Sequence, residues 1–190
     1  KEMYVNERSR RKAKHNVKGA EEWLKKLCTK VNATPIDLNN IERVTQLFNK
    51  TNQLNLSTRR LSEKEIIEWA SKKNHTMMAI SVSDQFGDMG LVGVISVEAI
   101  NDKGRMIDFV LSCRVMGRKV EETLIHLAVV EIAKLGAKKM EICYLPTDRN
   151  RPTLEVLNKS NLKKIKPFEF EVDIEDGFEK PNLISLNIYG

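Results

Sequence analysis

Long apolar runs are missing from this chain. None of its 190 residues belongs to a stretch approaching the roughly 18 consecutive apolar positions of a membrane span. Nor does it open with the charged, apolar and small-residue succession of a secretory signal. The expectation is a cytoplasmic protein with no membrane partner. Cysteine is scarce, and Cys28, Cys113 and Cys143 have neither CxxC spacing nor the density of a disulfide scaffold. They read as reduced thiols. The three histidines, His15, His75 and His126, fall in a basic tail, at a loop edge and inside a helical pattern, with no ligand spacing among them. No metal site is expected, and no internal repeat is visible.

Excess charge is local. The formal net charge is +6, yet residues 1–30 hold ten Lys/Arg against four Glu, and the remaining 160 residues balance at 22 against 22. A basic tail can bind nucleic acid or an acidic surface. No aromatic interrupts the cations from Arg8 to Lys18, so a solvated linker is the plainer reading and a nucleic-acid partner is not called for. The expected organisation is a basic, helical linker over residues 1–30 and one domain over residues 31–190, large enough for a single core.

Apolar spacing supplies the elements. Ala20, Trp23, Leu24, Leu27 and Val31 share one helical face, and Pro35 ends that pattern before a short Ile36-Asp37-Leu38 strand. Asn39 or Asn40 can cap a helix whose stripe is Ile41, Val44, Leu47 and Phe48. Ser62 with Glu65 forms a capping box for the next. Met77–Val82, Leu91–Val97 and a run ending at Cys113 read as three strands in an antiparallel meander, with turns at Asp84–Gly90 and Asn101–Gly104. A helix apolar over most of its circumference follows from Val120 to Gly136. Then come a strand at Met140–Leu145, a helix with Pro152 in its first turn, and strands at Phe168–Val172 and Leu183–Tyr189. The fold class is α+β: a mixed, largely antiparallel sheet flanked by helices.

The corner Leu111–Glu122 joins the meander to the apolar helix. It contains Gly117 and the cations Arg114, Arg118 and Lys119. A strand turning through glycine into a helix N-terminus presents unpaired N–H groups that suit a phosphate. Glu121 and Glu122 in the same first turn compensate the helix dipole and partly oppose that role. Cys113, beside these cations, is the candidate nucleophile for an acyl group, although strand cysteines are commonly inert packing residues. Arg59 and Arg60 can fork onto a carboxylate or phosphate. Asp84 and Asp88 offer carboxylates, although a turn also selects Asp for backbone reasons.

The element order resembles the GNAT fold. That family's strand-to-helix corner, with the pattern Gln/Arg-x-x-Gly-x-Gly/Ala, holds the pantetheine and pyrophosphate of CoA, and here the corner reads Arg114-Val115-Met116-Gly117-Arg118-Lys119. The resemblance implies a CoA or acyl-carrier-protein phosphopantetheine site at Ser112, Arg114, Val115, Met116, Gly117, Arg118, Lys119 and Val120. Lys119 replaces the final small residue, where it either crowds the turn or adds charge. Aligned on Val156–Leu162, Leu157 stands where many GNAT enzymes carry a tyrosine acid.

Four segments, Lys50–Arg60, Asp84–Gly93, Leu111–Glu122 and Tyr144–Asn150, resemble in order the C-terminal half of FkbH-like proteins. In that family a haloacid-dehalogenase-like domain dephosphorylates an activated three-carbon unit, and the protein loads the unit onto an acyl carrier protein. The resemblance implies the GNAT-like half of such a protein, acting with a carrier protein. It also makes Asn52, Asn55, Arg59, Arg60, Asp84, Asp88 and Asn150 substrate-site candidates. The Asp-x-Asp-x-Thr/Val motif of the dehalogenase-like half is absent from this sequence, and Lys1–Lys18 reads as the junction with an upstream domain. Three functions therefore compete: transfer of a small acyl unit such as glyceryl from a phosphopantetheine thioester, acetyl-CoA-dependent N-acetylation, and non-catalytic docking of a carrier protein.

Overall fold

Two short reversals build the middle of the molecule. β3 (His75–Asp84) turns at Gln85-Phe86 into β4 (Gly87–Ile100), which turns at Asn101-Asp102 into β5 (Lys103–Leu111). Asn101 takes the left-handed backbone conformation that asparagine tolerates better than most residues. The structure, a computed structural model, describes Val5, Asn6, Ser9, Arg10, Ala13 and residues 19–189. Most of the expected junction Lys1–Lys18 lies outside the described residues.

Around the meander lie β1 (Lys30–Pro35), β2 (Leu54–Asn55), β6 (Lys139–Cys143), β7 (Lys163–Lys166), β8 (Glu169–Asp173) and β9 (Ser185–Ile188). The order across the sheet is β7-β8-β6-β5-β4-β3-β1-β9, with β2 paired to β5 off that path. Among the described strands only β5–β6 and β1–β9 are parallel. A parallel neighbour needs a crossover, and α4 (Val120–Lys134) supplies the one between β5 and β6. Further helices are α1 (Ala20–Leu27), α2 (Ile41–Lys50), α3 (Glu63–Ala70) and α5 (Arg151–Lys159).

Successive residues of a strand face opposite sides, so each side of the sheet has its own core. Ile95, Val97, Phe109 and Leu111 pack with Leu124, Ile125, Leu127 and Ala128 of α4. Ala79, Val94 and Val110 pack with Val44, Leu47 and Phe48 of α2 and Ile66 of α3. α4 lies so close to β5 that a Cβ on Gly104 would stand 2.6 Å from Ile132. Glycine is therefore a packing requirement there.

The helix patterns, the meander and the Ser62–Glu65 capping box are observed. Several boundaries differ. The first helix stops at Leu27, where Cys28 turns left-handed and gives its N–H to the Lys25 carbonyl, and Val31 sits in β1 instead. Ile36–Leu38 is loop, bound by Asp37, whose Oδ1 accepts from the N–H groups of Asn39 and Asn40. β4 begins at Gly87, inside the expected turn, and register shifts in its pairing with β3 accommodate the turn-like residues. β7 is four exposed residues, three of them lysine, so no apolar alternation announced it. Cys113 lies beyond the end of β5, in a single 3₁₀ turn at Cys113–Val115.

Candidate functional site

β5 ends where its polar tail finds local partners. The Ser112 N–H still donates to the Val92 carbonyl at 2.8 Å, while its Oγ accepts from Arg114 N and caps the turn Cys113–Val115. Val115 and Val120 are fully buried and pin the corner at both ends. Between them Gly117 and Lys119 take positive φ, 72° and 65°. Consecutive amides in such a loop can cradle an anion.

That anion is already present in the chain. The Gly117 N–H donates to the Glu121 carboxylate at 2.6 Å. Glu121 is only 3% exposed, and burial pushes its carboxyl above its usual range, opposed by the amides it accepts from. Its Oε2 has no partner. Arg118 turns from the loop to Asp84 at 3.0 Å, and Lys119 pairs with Glu122. The turn therefore fits a diphosphate poorly: its glycine amide holds the chain's own carboxylate, and Arg118 and Lys119 are bound to acids.

A cavity of about 1210 Å³ opens on the other side of Cys113. Arg43, Gln46 and Lys50 of α2 form one wall, Thr51–Gln53 and Met89–Leu91 flank it, and Asp148, Arg149, Arg151 and Pro152 face it from the start of α5. Leu111, Ser112, Cys113 and Arg114 make its inner edge, with the Cys113 thiol exposed. Among the described residues five cations and one carboxylate thus line the groove. Arg43 donates to the Leu91 carbonyl at 3.3 Å and to Gln46 at 3.0 Å, and Arg151 pairs with Glu155. Among the described residues no carboxylate lies within ion-pair distance of Arg43, Lys50 or Arg149. Arg43 and Lys50, seven positions apart, share a helix face, a sequence signal that the resemblance overshadowed.

The inner floor of this groove is made by the chain itself. β5 and β6 pair only as far as Met106 and Ile142. Beyond that point residues 54–56 enter the gap: Leu54 and Asn55 pair with Leu111 and Val110, and Leu56 N donates to Phe109 O at 3.0 Å while its carbonyl accepts from Leu145 N at 3.3 Å. Asn150 locks this wedge. Its Oδ1 accepts from Tyr144 Oη and Thr147 N, both at 2.7 Å, and its Nδ2 donates to the carbonyls of Asn55 (3.0 Å) and Leu145 (2.8 Å). Thr153 Oγ1 adds a bond from Asn55 N at 2.9 Å and one to Gln53 O at 3.0 Å.

Several residues expected at a substrate site are engaged in building it. Asn55 and Asn150 are fully buried, and Asn55 bridges Thr51 O and Thr58 N with its side chain. Arg59 pairs with the buried Asp108, which also accepts from Ser57 and Ser96, and its guanidinium lies 5.5 Å from the Trp69 ring centre. Arg60 donates to the carbonyls of Phe48 and Thr51 at the end of α2 and to Asn52 Oδ1, neutralising a helix C-terminus. Asp84 binds Arg10 and Arg118, and Asp88 accepts from Gly90 N within its turn. Of that set Asn52 alone lines the large groove, as do Ser112 and Arg114 of the corner. Met116 is exposed outside it, and Lys119 lines a separate cavity of about 520 Å³ with Glu122, Lys159 and Lys180. Leu157 is buried in α5, which places no acid there. Among the described residues no cluster of His, Cys, Asp and Glu suits a metal, and no helix is long and apolar enough to cross a membrane.

No protein-family model matches the chain, and no curated protein matches its sequence. Solved structures do match its fold. The GNAT domain of S. lividans PAT superposes with a TM-score of 0.57 at 13% identity, covering 74% of this chain and 89% of that one. A spermidine N-acetyltransferase from Vibrio cholerae, solved with CoA and spermine, gives 0.54 at 11% identity over 76% and 96%. A domain from Methanocaldococcus jannaschii gives 0.52 at 18% identity over 76% and 99%. At these identities the likeness is one of fold, and the fold is that of the GNAT acetyltransferases.

Proposed function

We propose that the chain is an acyltransferase domain of the FkbH-like type, in which Cys113 carries a small polar acyl unit such as glyceryl to or from a phosphopantetheine thiol of an acyl carrier protein or CoA. One observation carries the reading: the Cys113 thiol is exposed at the inner edge of a cationic groove large enough for a substrate. The GNAT-like fold, its CoA-bound neighbour and the buried Leu157 in place of an acid are consistent with thiol-to-thiol transfer, in which the attacking thiol's own proton can neutralise the leaving thiolate. In the step, Cys113 Sγ attacks the thioester carbonyl, a new S–acyl bond forms, and the old C–S bond breaks. The thiol proton leaves with the released pantetheine thiol. An upstream dehalogenase-like domain and the carrier protein are the partners this reading implies.

N-acetylation of an amine is the second reading, favoured by the fold neighbours. Intact-mass spectrometry separates the two. With a glyceryl-pantetheine thioester the protein gains one acyl unit on Cys113, and Cys113→Ser gains none. Acetylation of an amine from acetyl-CoA at full rate by the Cys113→Ser protein would replace the first reading with the second.

A further inference from the structure

We infer that the phosphate of the pantetheine donor binds in the large groove against Arg43, Lys50 and Arg149, and not on the β5–α4 turn. The inference rests on the transfer reading above and fixes where its donor enters. Three alternatives are closed by the chain's own groups. At the turn, Glu121 holds the Gly117 amide at 2.6 Å, so a phosphate placed there meets a buried carboxylate as well as Glu122 in the next position.

At the sheet, an extended arm could add to the edge of β5 where β6 leaves it. Residues 54–56 already take those backbone groups, and Asn150 holds them there. At the smaller cavity, Lys119 is paired with Glu122, and Lys180 donates to the carbonyls of Pro181 and Ile184. Among the described residues Lys159 alone remains there, with Glu122 and Glu179 on the same lining, against three cations without a paired carboxylate in the large groove.

The large groove differs on each count. Arg43 and Lys50 project from one face of α2, Arg149 faces them across the opening, and no carboxylate among the described residues is paired with any of the three. Among the described residues Asp148 is the sole acid on its lining. A guanidinium fork suits two phosphate oxygens at once, and a lysine adds a point charge. Arg43 is held toward the groove by the Leu91 carbonyl, which reduces the ordering needed on binding. Cys113 lines the same groove, so a phosphate anchored on the cations keeps the arm in the groove that holds the thiol.

Calorimetry with 4′-phosphopantetheine, pantetheine and inorganic phosphate tests the inference on the full chain. Wild type should bind phosphopantetheine at least about tenfold more tightly than pantetheine. The doubly substituted Lys50→Gln/Arg149→Gln protein, altered only at exposed positions, should lose that advantage while keeping its affinity for pantetheine. Lys119→Ala should leave it intact. Inorganic phosphate should show the same loss in the double variant, which marks the phosphate as the recognised group. Loss of the advantage in Lys119→Ala, with the double variant unchanged, would return the phosphate to the turn and overturn the inference. Failure of the transfer reading looks different: the double variant loses the phosphate advantage as expected, but no acyl adduct ever forms on Cys113.

Discussion

Replacing Asn150 by alanine removes the side chain that joins β6, the α5 entrance and the wedge at residues 54–56. Four groups then lose a partner: Tyr144 Oη, Thr147 N, and the carbonyls of Asn55 and Leu145. The site is fully buried, so the usual cost of about 1–3 kcal/mol for each stranded buried group applies in principle. Water admitted to the vacated space, and a second bond to the Asn55 segment from Thr153, recover part of it. A net loss of about 3–5 kcal/mol is expected, a large share of the roughly 5–15 kcal/mol that a domain has. Urea unfolding followed by circular dichroism measures it. Asn150→Asp, which keeps the acceptor and loses both donated bonds, should also destabilise. A loss below about 1 kcal/mol in Asn150→Ala would refute the view that this residue locks the wedge.

Two further outcomes follow from the buried charges. Glu121 has its carboxyl pushed up by burial, so the folded state keeps a proton that the unfolded chain releases. Its contribution to stability falls as pH rises from the ordinary carboxylate range through the raised value. Glu121→Gln should remove that dependence and be more stable than wild type at the alkaline end, as read by parallel melts across pH; identical pH profiles for the two proteins would contradict it. Arg59→Ala strands the buried Asp108 and should cost about 3 kcal/mol. The double change Arg59→Ala/Asp108→Asn should then lose less than the single one in a denaturant titration.

Much of the fold was legible because periodicity reports burial. β4 places residues in both cores, and the all-round apolar α4 is buried within one of them. What stayed hidden has physical reasons. β7 is an exposed lysine-rich edge, which carries no apolar signal, and Val31 fitted a helical stripe although it belongs to a strand. At the site, residue type pointed to polar chemistry at Asn55, Asn150 and Arg59, whereas the fold uses them to satisfy buried backbone and a buried aspartate. Apart from Arg114, the cations that line the groove come from α2 and the α5 entrance, far apart in sequence, so only the tertiary arrangement brings them into one groove with Cys113.

The most direct measurement is the intact mass of the protein after incubation with a loaded carrier protein or a glyceryl-pantetheine thioester, with peptide mapping of any adduct. The account predicts one acyl unit on Cys113, discharged when free carrier thiol is added. Transfer to the carrier that proceeds as fast with Cys113→Ser, and with no adduct at any time, would contradict it.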